Sequence, residues 1–106
     1  MKYLVQILLP LNDNRGKQFD QELFGTTRTE LMDRFGGVTA HMQAPARGLW
    51  KKDDGEVSRD DIVIMEVMVG AIDAEWWSGY KKKLLQRFAQ DELMIRALQT
   101  ATLGNP

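Results

Sequence analysis

A chain of 106 residues with fourteen basic and fifteen acidic side chains is the size of one domain with a two-layer core, and at that size no metal or disulfide is needed to hold the core together. The absence of cysteine excludes a disulfide scaffold, a thiol nucleophile and any cysteine-ligated zinc or iron–sulfur centre, while leaving the compartment open. A net charge of −1 supplies no field that would attract nucleic acid and opposes self-association only weakly.

The N-terminal apolar run, residues 1–10, is too short to span a membrane, and no small-residue cleavage site follows it, so a cytoplasmic protein with no membrane contact is expected. Within it, residues 3–9 read as a strand. Tyr3, Val5, Ile7 and Leu9 alternate with Leu4, Gln6 and Leu8, the near-continuous apolar pattern of a central strand largely covered on both faces. Pro10 ends it, and residues 11–17 form a polar loop rich in Asn, Asp and Gly. A helix follows, with Asp20 as N-cap and Phe19 placed to staple onto Phe24. Phe24, Thr27, Leu31 and Phe35 make its apolar stripe, and Gly36-Gly37 supplies a left-handed stop.

A second strand begins at Val38 and runs, with a break at Pro45, toward Trp50, after which Asp53-Asp54-Gly55 turns the chain back as a hairpin. Residues 62–69 are apolar at every position except Glu66, which predicts a central strand buried on both faces. The second helix repeats the first: Asp73 is the N-cap, Ile72 and Trp77 a staple pair, and Trp77, Tyr80, Leu84 and Phe88 the stripe. Trp76 falls beside that stripe as a partly exposed ring, and Lys81-Lys82-Lys83 as a solvated face. Residues 93–101 complete the set as a last strand.

The resulting order, βαββαβ, predicts an α+β fold over residues 1–106 as one domain: a ferredoxin-like sandwich whose four-stranded antiparallel sheet has the order 4-1-3-2, with two helices on one face. The other face must meet water, a ligand or another subunit. Alternation places Leu4, Gln6 and Leu8 on it from the first strand, Ile64, Glu66 and Met68 from the third, and Met94, Arg96 and Leu98 from the fourth. His41 is the matching residue of the second strand unless a bulge near it reverses its direction. Each set is apolar with one polar member, so a row Arg96, Gln6, Glu66, His41 is predicted to cross the sheet. A carboxylate in such surroundings should hold a proton or take Arg96 or His41 as partner.

Two readings of that row follow. As a specificity device it fixes register in a homodimer whose attraction comes from leucine and methionine. As a site it makes Glu66 and His41 a catalytic acid–base pair, with Gln6 and Arg96 as ligand-binding groups. Trp50, flanked by Arg47 and Lys51-Lys52, would add an aromatic lid with basic groups for an anionic ligand, or else pack on a neighbouring subunit. Gly36-Gly37 follows a helix and is no phosphate loop. With one histidine and no carboxylate spacing to match, no metal site is expected and no cofactor is implied; the methionines read as adaptable packing.

Arg34-Phe35-Gly36-Gly37-Val38-Thr39, Gly48-Leu49-Trp50 and Ile64-Met65-Glu66-Val67 resemble segments of small bacterial proteins, a likeness that implies the fold and no activity. The element order as a whole resembles the ferredoxin-like superfamily and, within it, the dimeric α+β barrel group. In that group two open faces enclose a cavity, and members include cofactor-free monooxygenases acting on polyketide quinols, haem-degrading enzymes, isomerases and stress-response barrels. The Asn-Trp-His motif of the haem degraders has no residue-by-residue match in this chain. The expectation is therefore a small-molecule-binding homodimer associating through the open face; the resemblance adds a cofactor-independent monooxygenase or isomerase as one alternative, and a structural or regulatory module without a ligand is the other.

Overall fold

In the computed structural model, which describes residues 2–43 and 61–104, the periodic segments become β1 (Lys2–Pro10), α1 (Gln21–Phe35), β2 (Thr39–Gln43), β3 (Ile62–Val69), α2 (Ala74–Arg87) and β4 (Met94–Thr100). The strands form one antiparallel sheet of order β2-β3-β1-β4, which is the predicted 4-1-3-2. The two most apolar strands lie in the middle, as burial on the helix side requires. Arg47, Trp50, the break at Pro45 and the turn at Asp53-Asp54-Gly55 lie outside the described residues.

The core fills the space between the sheet and the two helices. Val5, Ile7 and Leu9 of β1 and Met65, Val67 and Val69 of β3 join one buried cluster with Phe24 and Leu31 of α1, Trp77, Tyr80 and Leu84 of α2, and Phe88 just beyond it. Both helices begin as the sequence dictates. The Asp20 carboxylate accepts from the Glu22 amide at 3.1 Å, and that of Asp73 from the Trp76 amide at 3.1 Å; α1 stops where Gly36 takes φ 78°. Asp73 also faces Arg34 at 3.7 Å, and the Arg34 guanidinium lies 4.2 Å from the centre of the Trp76 ring. Asp73→Ala is therefore expected to cost about 1 kcal/mol, read as a fall of roughly 5 °C in thermal midpoint.

The aromatic contacts reach beyond the expected staples. Phe19 and Phe24 both pack on Phe88, at centroid distances of 5.3 and 5.2 Å. Ile72 stays 40 % exposed, and a Phe35 ring stacks on Trp77 at 5.4 Å. A polar clamp joins the helices. Arg87 donates through both terminal nitrogens to the two Glu30 oxygens at 2.7 and 2.9 Å and through Nη1 to Thr27 Oγ1 at 2.8 Å. The Tyr80 hydroxyl donates to Glu30 Oε1 at 2.9 Å, and Thr27, fully buried, donates its own hydroxyl to the Leu23 carbonyl.

Candidate functional site on the open sheet face

The strand register decides which side chains share the uncovered face. Gln6 is opposite Glu66 on one side and Arg96 on the other, while Leu4 faces Met68 and Leu98, and Leu8 faces Ile64 and Met94. On the outer strand, Glu66 is opposite Thr39, and His41 is opposite Ile64. The polar level therefore reads Arg96, Gln6, Glu66, Thr39. This corrects the expected row at one position: His41 is on the predicted face but one level along the strand, and reaches Glu66 diagonally. Alternation could have yielded Thr39 had the β2–β3 register been known; with an intervening connection of uncertain length, sequence could not fix it.

The polar groups are hydrogen-bonded in series. Arg96 Nε donates to Gln6 Oε1 at 2.7 Å, and Gln6 Nε2 donates to Glu66 Oε2 at 2.7 Å. Because a guanidinium can only donate, the Gln6 amide must turn its oxygen to Arg96 and its nitrogen to Glu66. Glu66 thus takes Gln6 as its close partner, and Arg96 is linked to it through that amide rather than directly. The other carboxylate oxygen, Oε1, has His41 Nε2 at 3.5 Å. That is longer than a good hydrogen bond and leaves the oxygen able to accept from something else.

Above and below this level the face is apolar. Ile64 is 4 % exposed, but Met68, Met94 and Leu98 are 47, 54 and 46 % exposed, so β3 is not buried on both faces as its composition predicts. Exposed apolar side chains thus frame the polar level on this face. Chemically, the level can offer donors at Arg96, an acceptor at Glu66 and an imidazole beside it.

No family model and no curated protein matches the chain. Among solved structures, a phage SAM lyase in complex with S-methyl-5′-thioadenosine is similar, with a TM-score of 0.60 over 92 % of this chain and 81 % of that one. At 15 % sequence identity, the likeness is one of fold. It places the βαββαβ sheet and its two helices beside a solved protein of the same architecture.

A concavity of about 450 Å³ lies away from the polar row, at one end of the sheet where the ends of β1, β3 and β4 meet the 11–17 loop, with Asn12, Asp13, Asp61, Gln90 and Glu92 among its walls. Sequence reading missed it because its residues come together only in the folded chain. Its loop is a closed turn: Asn12 bridges to Gln18, Gly16 takes φ 84°, and Asp13 Oδ1 accepts the amides of Arg15 and Lys17, both at 2.9 Å. Those amides, that of Lys17 foremost, hold the Asp13 carboxyl below the usual range. Glu92 is held low by Lys81, 2.6 Å away. Two of its acids are thus occupied in local structure. Among the described residues, no cluster of three or more histidine or acidic side chains is placed to hold a metal ion, and no helix is long and apolar enough to cross a membrane.

Proposed function

We propose that the open sheet face binds a small molecule, enclosed by a second copy of the chain in the manner of the dimeric α+β barrel group. One observation carries the reading: the series Arg96–Gln6–Glu66, with His41 beside it, runs through the middle of an otherwise apolar face. A face meeting only water would be polar at most positions, and one meeting only protein would be cheapest with an apolar centre. A few convergent polar groups in an apolar frame is the make-up of a ligand site. The bound nucleoside thioether of the phage SAM lyase is consistent with a small organic ligand and makes S-methyl-5′-thioadenosine the first probe.

The test is a thermal-shift series with that compound, followed by a panel of aromatic and carbonyl compounds. A probe at a hundred times its Kd adds about 2.7 kcal/mol of stability, or roughly 10 °C at this chain length. Glu66→Gln is expected to abolish that shift while leaving the far-UV spectrum unchanged. No shift with any probe, or a shift indifferent to Glu66→Gln, would reduce the face to an interaction module.

The His41–Glu66 contact favours a second reading, a cofactor-independent isomerase or monooxygenase of the same group. There Glu66 and His41 move a proton to or from the substrate, and Arg96 stabilises an anionic oxygen that forms on it. Binding retained but turnover lost in His41→Gln would select this reading over plain binding.

A further inference from the structure

The polar level of the open face is ordered in charge: a cation on β4, an amide on β1, an anion on β3. Two copies meeting face to face about a two-fold axis in the interface plane have two simple arrangements. An axis running across the strands keeps the strand order and lays Arg96 on Arg96 and Glu66 on Glu66, like charge on like. An axis running along the strands reverses the order; passing beside Gln6, it lays each Arg96 over the partner's Glu66. The same operation sets Leu98 over the partner's Met68 and Leu4 over Leu4, so the exposed apolar level on that side of the polar row meets its like.

We infer that this chain pairs with a second copy through the open face about an axis along the strands beside β1, so that Arg96 of one copy meets Glu66 of the other. The inference rests on the open-face reading above and deepens it: each site is then composite, with Glu66 and His41 from one copy and Arg96 from its partner. Within one chain Arg96 stops at Gln6 and spends only Nε there; its two terminal nitrogens have no partner among the described residues. Among the described residues, Glu66 Oε1 has only His41, at 3.5 Å. An arginine and a glutamate reaching from opposite sides together span more than the roughly 10 Å that separates sheets in direct contact, so the pair forms with the two faces far enough apart for a ligand beside it. The exposed Met68, Met94 and Leu98 supply adaptable apolar cover around the pair. A second copy provides this complementary order by symmetry alone, and the near-zero net charge does little to oppose it.

The experiment uses two singly reversed chains, Glu66→Arg and Arg96→Glu, studied by native mass spectrometry and sedimentation. The wild type is expected to be a dimer. Each reversed chain, folded by circular dichroism, should dimerise roughly a hundredfold or more weaker, because the facing charges are then alike and desolvated. Mixed in equal amounts, the two should form a heterodimer within about tenfold of wild-type affinity. In that heterodimer both cross-copy pairs are opposite in sign, while the charges inside each chain remain alike, so recovery cannot arise within a chain. Reversed chains that dimerise like the wild type, a mixture that stays monomeric, or a monomeric wild type would each overturn the inference. Should a reversed chain fail to fold, Glu66→Gln and Arg96→Gln replace the pair: the mixture should then prefer the mixed dimer, and a statistical mixture would overturn the arrangement. Ligand-induced thermal shifts on the wild type report separately on the binding reading, which survives if only the charge pairing fails.

Discussion

Phe88→Ala is expected to remove about 4 kcal/mol of stability, a large share of the roughly 5–15 kcal/mol available to a domain of this size. Phe88 is fully buried and follows the last residue of α2, where its amide donates to the Leu84 carbonyl at 2.9 Å. Its ring receives Phe19 edge-on at 5.3 Å and Phe24 at a tilt at 5.2 Å. One side chain therefore joins the end of α2 to the start of α1 and to the loop before it. Truncation loses the transfer energy of the ring and opens a space that Phe19 and Phe24, each anchored by its own backbone, fill only in part. Urea denaturation should show a lower midpoint at an unchanged slope, with the thermal midpoint down by roughly 15 °C or more. A loss below about 1.5 kcal/mol would mean that the neighbouring rings collapse into the gap. Leu103→Ala, at a residue 88 % exposed, is the control and should change stability by less than about 0.5 kcal/mol.

Phe88 also marks how far the sequence carried. Its place on the α2 stripe was legible from the spacing Trp77, Tyr80, Leu84, Phe88, and so were the N-caps Asp20 and Asp73, the Gly36 stop and the strand order, because each depends on local periodicity or on the apolar content of whole strands. That Phe88 serves as the meeting point of Phe19 and Phe24 was not legible, since local staple rules see only residues four or five apart. The same limit applies to the site. Gln6, Glu66 and Arg96 share a face by simple alternation, and alternation is readable. The exact partner of each is a matter of register, so the bridging role of Gln6, the position of Thr39 and the diagonal approach of His41 emerge only once the strands are paired. Composition misled in one respect: the apolar third strand predicts cover on both faces, whereas Met68 is exposed, because composition records what a strand is fit to bury and not whether the burying surface belongs to the same chain.

Least legible of all was the clamp between the helices, whose Glu30 and Arg87 are 57 positions apart and belong to no local pattern that would pair them. Arg87→Leu is expected to cost about 2–3 kcal/mol, toward the lower end for a buried pair because Glu30 keeps some contact with water. The change leaves the Glu30 carboxylate with Tyr80 and Lys83 and removes the donor to Thr27 Oγ1. The pH dependence identifies the cause. Hydrogen bonding from Arg87, helped by Tyr80, holds the folded Glu30 carboxyl below the ordinary range against the opposing effect of burial. Its contribution is therefore full above the ordinary carboxylate value and lost as pH falls through the depressed one. Burial, then the bond to Glu30, pushes the Tyr80 phenol up, so its contribution is full below the ordinary phenol value and lost as pH rises through the raised one. Urea titrations across pH should show the gap between wild type and Arg87→Leu widest near neutrality and narrowing below about pH 4. Glu30→Leu combined with Arg87→Leu should recover part of the loss, because no charge is then left without its partner. A pH-independent gap, or a double variant less stable than the single, would instead assign the role of Arg87 to the packing of its aliphatic stem.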